Sequence, residues 1–200
     1  MKKIGGILLV IVVTSILTGC SAPLMETDAK ENMFIKSVAL SEDERIKTPI
    51  VGFLPKIYEY SVDESIKAMM IEVIDYTDTY NPIVVNSYAY KLYKESTKGR
   101  IYIIYYPDEN ELNIEINSKK RKDKNSSVLY VYDKNDSYAM SFNNESVIRK
   151  EEAIPLIAIL YADSFSEVDR FLNNPKKYRG YYSTAYQIKI TFFDKDLNSN

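Results

Sequence analysis

Residues 111–117 alternate without a break: Leu112, Ile114 and Ile116 fall to one side of an extended chain, and Glu111, Asn113, Glu115 and Asn117 fall to the other. A period of two marks a strand with one dry and one wet face. Residues 83–93 and 100–106 are apolar on both sides, as strands covered on two faces are. Residues 128–133 and 137–142 complete the run of extended segments. The turn residues 107–110 and 134–136 and a longer basic loop between Ser118 and Ser127 join them. An up-and-down antiparallel meander is the economical arrangement of such a run.

The flanking segments switch to a helical period. Ser61 and Glu64 have the spacing of a capping box, and Ile66, Met69, Met70, Val73 and Ile74 then recur at helical intervals. This predicts a helix over 62–76 whose methionines face the core. Residues 145–151 read as helical. Pro155 suits the first turn of a second helix with an almost wholly apolar body over 156–162, and Ser166 can cap a short third helix through Leu172. Residues 186–193 alternate again as a last strand. The expected class is α+β: a single antiparallel β-meander sheet with helices packed mainly on one face. It is loosely similar to cystatin-like folds in element order alone, which implies nothing about function.

The first twenty residues are built differently. Lys2 and Lys3 precede an apolar run over 7–17 that only Thr14 and Ser15 interrupt, and small Gly19 stands before Cys20. The run is too short to span a bilayer comfortably, as in an export signal that is cleaved. Leu17, Thr18, Gly19 and Cys20 resemble the lipobox of bacterial lipoprotein precursors. The resemblance implies that residues 1–19 are a signal peptide and that Cys20 receives a diacylglyceryl thioether and becomes the first mature residue. The chain would then be lipid-anchored on the extracytoplasmic face of the cell membrane or outer membrane. Each buried methylene contributes about 0.8 kcal/mol, so more than one acyl chain, palmitate for example, makes the attachment persistent. Residues 20–40 then read as the lipidated cysteine and a tether. Its polar part, 21–32, would span roughly 20 Å as a coil, while the more apolar 33–40 also suits an N-terminal strand. Residues 41–200 read as a single α+β domain.

Composition removes chemistries. Without Lys2 and Lys3 the basic residues fall from 26 to 24 against 28 acidic ones, so the mature chain is mildly acidic and no nucleic-acid partner is expected. A single cysteine allows no internal disulfide. The absence of histidine excludes Ser-His and Cys-His pairs, histidine bases and nearly all zinc sites. Gly52, Gly99 and Gly180 are too scattered to cradle a phosphate as a glycine-rich loop does. No cofactor and no metal are expected. Asp194, Asp196 and Asn198 imitate only the opening of a calcium loop, and Asp133, Asn135 and Ser137 lack its glycine.

What remains is surface chemistry. Lys119, Lys120, Arg121, Lys122 and Lys124 concentrate positive charge in one loop of an acidic chain, and each could contribute about 1 kcal/mol near an anionic lipid surface; a solvated hairpin tip is the simpler reading of them. Among the eighteen tyrosines, Tyr178, Tyr181 and Tyr182 lie in a stretch with Lys176, Lys177, Arg179 and Gly180, which suits an exposed aromatic platform. The carboxylate pairs Glu111/Glu115 and Asp75/Asp78 are the one catalytic route left open. The sequence therefore points to a membrane-anchored extracytoplasmic lipoprotein that acts by binding, as an accessory component at the cell envelope. Its expected partners are the membrane, through the lipid on Cys20, and an envelope protein or wall polymer. The alternative is a metal-independent cell-wall or lipid hydrolase working through carboxylates.

Overall fold

Extended chain dominates, because β-branched and aromatic side chains fill most of the apolar positions. The computed structural model describes residues 33–41, 55–78, 80–119, 122–129, 137–162, 168–177 and 182–197, which belong to one unit over residues 31–200. Its strands are β1 (Phe34–Val38), β2 (Lys56–Ser61), β3 (Ala68–Asp75), β4 (Ile83–Lys91), β5 (Lys98–Tyr106), β6 (Glu111–Ser118), β7 (Lys122–Val128), β8 (Tyr138–Phe142), β9 (Glu145–Val147), β10 (Ile154–Tyr161) and β11 (Thr184–Phe193). Among the described residues the sole α-helix is the short α1 (Val168–Asn173). The strands form a six-stranded sheet in the order β7-β6-β5-β2-β1-β9 and a five-stranded sheet in the order β4-β3-β11-β10-β8. All these neighbours run antiparallel.

The two sheets share one core. Ile35, Tyr60, Ile101, Ile103, Leu112 and Ile114 from the first meet Met69, Ile71, Val73, Ile157, Ile188 and Phe192 from the second. Each such side chain contributes about 1.5–3 kcal/mol by leaving water. Rings and hydroxyls also cross between the sheets: Tyr60 lies 6.0 Å from Phe192 between ring centroids, and Tyr58 Oη donates to the Leu156 carbonyl at 2.6 Å. At one margin β4 approaches β7 through side chains, with Tyr88 Oη donating to the Ser126 carbonyl at 3.1 Å. This is a β-sandwich, in place of the single meander sheet with helices on one face.

The expected helices fail for identifiable reasons. Over 62–76 the chain makes a turn and then β3. Asp63 Oδ1 accepts from the Ser65 amide at 2.8 Å in an Asx turn, so Asp63 organises the corner and the Ser61/Glu64 capping box does not form. Met69, Ile71 and Val73 then point inward, while Ile74 joins a second apolar cluster on the other face. Residues 145–151 are β9 followed by a turn in which Glu151 has φ 59°. The run over 156–162 is β10, between β11 and β8. One of its faces fills the sandwich core, and Ala158 and Leu160 on the other lie under Phe171 and Leu172 of α1. A strand covered twice reads like a buried helix. Pro155 does not open a helix; it sits at a register shift between Pro155 and Ile157, where a missing amide is tolerated. The shift exposes the Leu156 carbonyl to both Tyr58 and the Asn143 amide.

Other expectations match more closely: the strands expected over 83–93, 100–106 and 137–142 are β4, β5 and β8. The last strand is β11, β6 keeps its alternation, and the short helix through Leu172 is α1, although Ser166 lies outside the described residues. The loop expected between Ser118 and Ser127 is mostly strand, since β7 begins at Lys122. Of the strand expected over 128–133, Val128 ends β7 and residues 130–133 lie outside the described residues. Phe34–Val38, within the stretch read as tether, is β1 and pairs with both β2 and β9.

Candidate functional site

Register on the outer face of the six-stranded sheet decides which polar side chains meet. Pairing aligns Lys36, Glu59, Arg100, Asn117 and Lys122 in one row across β1, β2, β5, β6 and β7. The next row carries Phe34, Ser61 and Lys98, and Lys119 follows directly after β6. Ser61 is short and its neighbours in the row are long, so a hollow opens above it. The result is a cleft of about 460 Å³ bordered by Phe34, Ser61, Lys98, Arg100 and Lys119.

Two features fix its frame. Arg100 donates from both Nε (2.9 Å) and an Nη (2.7 Å) to the same Glu59 oxygen, a cross-strand ion pair that orients the guanidinium. Beneath, Gly99 lies opposite Tyr60. A Cβ on Gly99 would stand 2.5 Å from Tyr60 Oη and 2.8 Å from the Asn117 carbonyl, so only glycine lets the ring cover the strand. Burial pushes the Tyr60 hydroxyl up to about 12. Lys98 and Lys119 have no carboxylate partner among the described residues. Three cations against one carboxylate leave the cleft positive in a chain whose net charge is −2.

Of the basic residues singled out from sequence, Lys119 borders this cleft. Lys122 and Lys124 are exposed on β7, with Lys122 Nζ 2.9 Å from Glu115. Lys120 and Arg121 lie outside the described residues, as do Cys20, Tyr178 and Tyr181. Tyr182 is half-buried, its ring edge-on to Phe171 at 5.2 Å and its hydroxyl 3.4 Å from the Tyr76 carbonyl, so it packs against α1. Phe34, Ser61, Lys98 and Arg100 were not singled out. Their one sequence signal is the pair of cations flanking Gly99, which gains meaning only once β2 and β5 are in register.

Three of the four paired carboxylates have local duties. Glu115 binds Lys122 and accepts from Asn117 Nδ2 at 2.9 Å. Asp75 Oδ1 accepts from the Thr77 amide at 2.7 Å, and Asp78 accepts from the Tyr80 amide at 3.0 Å. Asp194 and Asp196 face Lys150 and Lys91. Among the described residues no group of acids is placed to hold a metal ion. Another polar cluster lies inside the sandwich: the Tyr105 and Tyr161 hydroxyls are hydrogen-bonded to each other and lie 3.2 and 3.3 Å from Asn110 Oδ1, so the one that does not donate to its neighbour donates to the amide oxygen. Burial first, and then the neighbouring Tyr161 hydroxyl, pushes Tyr105 far above its usual value. That suits a structural hydroxyl and not a proton donor at neutral pH. Comparison with protein-family models, curated proteins and solved structures finds no match to this chain.

Proposed function

We propose that the protein is a lipid-anchored extracytoplasmic binding component of the cell envelope, attached to its membrane through Cys20. The observation that carries this reading is the succession of residue types at the start of the sequence: two lysines, an apolar run, and Leu17-Thr18-Gly19-Cys20. The open cleft on the six-stranded sheet supports binding over catalysis. Its side chains are cations, the hydroxyls of two serines and Tyr60, an amide and a phenyl ring, and its one carboxylate is committed to Arg100. Ser61 makes no hydrogen bond to the Lys98 ammonium opposite it, and among the described residues no second carboxylate borders the cleft. The envelope partner is a protein or wall polymer with anionic groups.

The test is Cys20→Ala in the native host, grown with a palmitate analogue. Wild type should carry the label and fractionate with membranes at mature size. The variant should lose the label and keep its signal peptide. A labelled variant of mature size would overturn the anchoring role of Cys20.

A further inference from the structure

We infer that the cleft between β2, β5 and β6 binds a phosphate-bearing ligand, a phosphomonoester or phosphodiester on a small polar group; this rests on the binding role proposed above and gives it a ligand class. The volume of about 460 Å³ falls within the range of small-molecule sites, roughly 300–1,000 Å³. A phosphomonoester carries between about −1.5 and −2 charges at neutral pH, which matches the local excess of two cations better than a neutral sugar or a singly charged group does, so a monoester should bind more tightly than a diester. The parts have distinct tasks. Arg100 is held by Glu59 before any ligand arrives, so a planar donor is already oriented at the wall. Lys98 on β5 and Lys119 just past the end of β6 approach from two sides of the opening, each a point charge on a long flexible stem. Ser61 offers a hydroxyl from the floor. Phe34 borders the hollow with an apolar surface against which glycerol or a sugar ring can lie.

The sheet also separates this cleft from ordinary surface charge. Lys122 and Lys124 lie on the same sheet in the neighbouring β7, but neither borders the hollow, and Lys122 is matched by Glu115. A diffuse basic surface would use all four lysines alike. A cleft would use only Lys98 and Lys119.

Full-length protein in neutral detergent is titrated calorimetrically with sn-glycerol 3-phosphate, with inorganic phosphate and with glycerol. Saturable binding of the two phosphates and none of glycerol is expected, weakening as salt is raised. Lys98→Ser with Lys119→Ser should weaken the binding about tenfold or more, because charge-assisted contacts to the anion are lost. Lys122→Ser with Lys124→Ser should leave it within about twofold, since exposed charges outside the contact are screened. Both double variants replace exposed side chains, and an unchanged melting temperature verifies that each is folded. Phosphatidylglycerol added to the micelles identifies the source. Competition assigns the cleft to a lipid headgroup, and retained binding without competition assigns it to a soluble or polymer-borne ester. No saturable signal with either phosphate at millimolar concentration, or equal losses in the two double variants, overturns the proposal. The mass of Cys20 in the same sample tests the anchor separately: phosphate binding by a chain without lipid would refute the anchor and leave the cleft standing.

Discussion

Gly99 is the residue on which the cleft geometry turns. Its neighbours Lys98 and Arg100 point outward, while on the inner side the Tyr60 ring lies across its backbone. That ring has little room to yield: it is 2% exposed, its hydroxyl reaches the Ser96 carbonyl at 3.3 Å, and Phe192 stands behind it. An added methyl would push either the ring or the backbone of β6, where the Asn117 carbonyl is fixed by pairing. Overpacking of this kind costs about 1–3 kcal/mol. Gly99→Ala should therefore lower the unfolding free energy, read from denaturant titration, by an amount in that range. In a Tyr60→Leu background, which removes the ring, the same change should cost distinctly less, because contacting residues are not additive. Equal costs in both backgrounds would show that the ring is not what excludes a side chain at Gly99.

α1 is six residues long and could not persist alone, so the sheet must hold it. Phe171 does most of this, buried among Ile74, Tyr76, Leu160 and Ala185 with its ring edge-on to Tyr76 at 5.9 Å, while Gln187 Nε2 caps the Leu172 carbonyl. Phe171→Ala should cost about 3–5 kcal/mol. Because the sandwich core lies on the opposite face, the denaturant slope should stay that of the wild type; a changed slope would mean that the outer layer and the sandwich unfold separately. This outer layer also explains which elements were legible in the sequence. β6 shows its period of two because one of its faces is polar, and β11 was readable as the final strand. In β10 the second face is covered too, and in β3 apolar Met70 and Ile74 stand on it, so Met69 beside Met70 and the run Leu156 to Leu160 satisfied a helical period as well as an extended one. β7 was hidden for the opposite reason: Lys122, Asp123, Lys124 and Asn125 are polar on both faces of an edge strand and read as loop. The candidate site was legible only as charge at Lys119. Its other members come from β1, β2 and β5, and the register that joins Phe34, Ser61 and Lys98 is a tertiary fact that no local pattern states.

Across the whole molecule, stability should carry a signature of tyrosine, which this chain uses eighteen times with no tryptophan. Several of these rings lie inside the sandwich with hydroxyls turned to main-chain carbonyls or to each other: Tyr58 to Leu156, Tyr60 to Ser96, and Tyr105 to Tyr161. Desolvation disfavours the phenolate, so Tyr58 and Tyr105 are pushed far up from the ordinary value of 10.0, and Tyr60 up to about 12. Below pH 10.0 these groups are protonated in both the folded and the unfolded chain, and their contribution to stability is fully present. Above it the unfolded chain releases protons that the folded chain keeps, so the unfolded state binds fewer, and stability falls as pH rises through the folded values. The melting temperature should therefore be flat with respect to these groups up to about pH 10 and decline steeply beyond it, with part of the tyrosinate absorbance appearing only as the chain unfolds. Lysine neutralisation in the same range is a smaller effect, because pairs such as Lys150–Asp194 and Lys195–Glu151 are exposed and screened by solvent. Tyr58→Phe separates the two. It should cost about 1 kcal/mol at neutral pH, through the lost bond to the Leu156 carbonyl, and make the alkaline decline shallower because one buried phenol no longer titrates. A decline identical to that of the wild type would assign the alkaline loss to the lysines and leave the buried hydroxyls without a part in it.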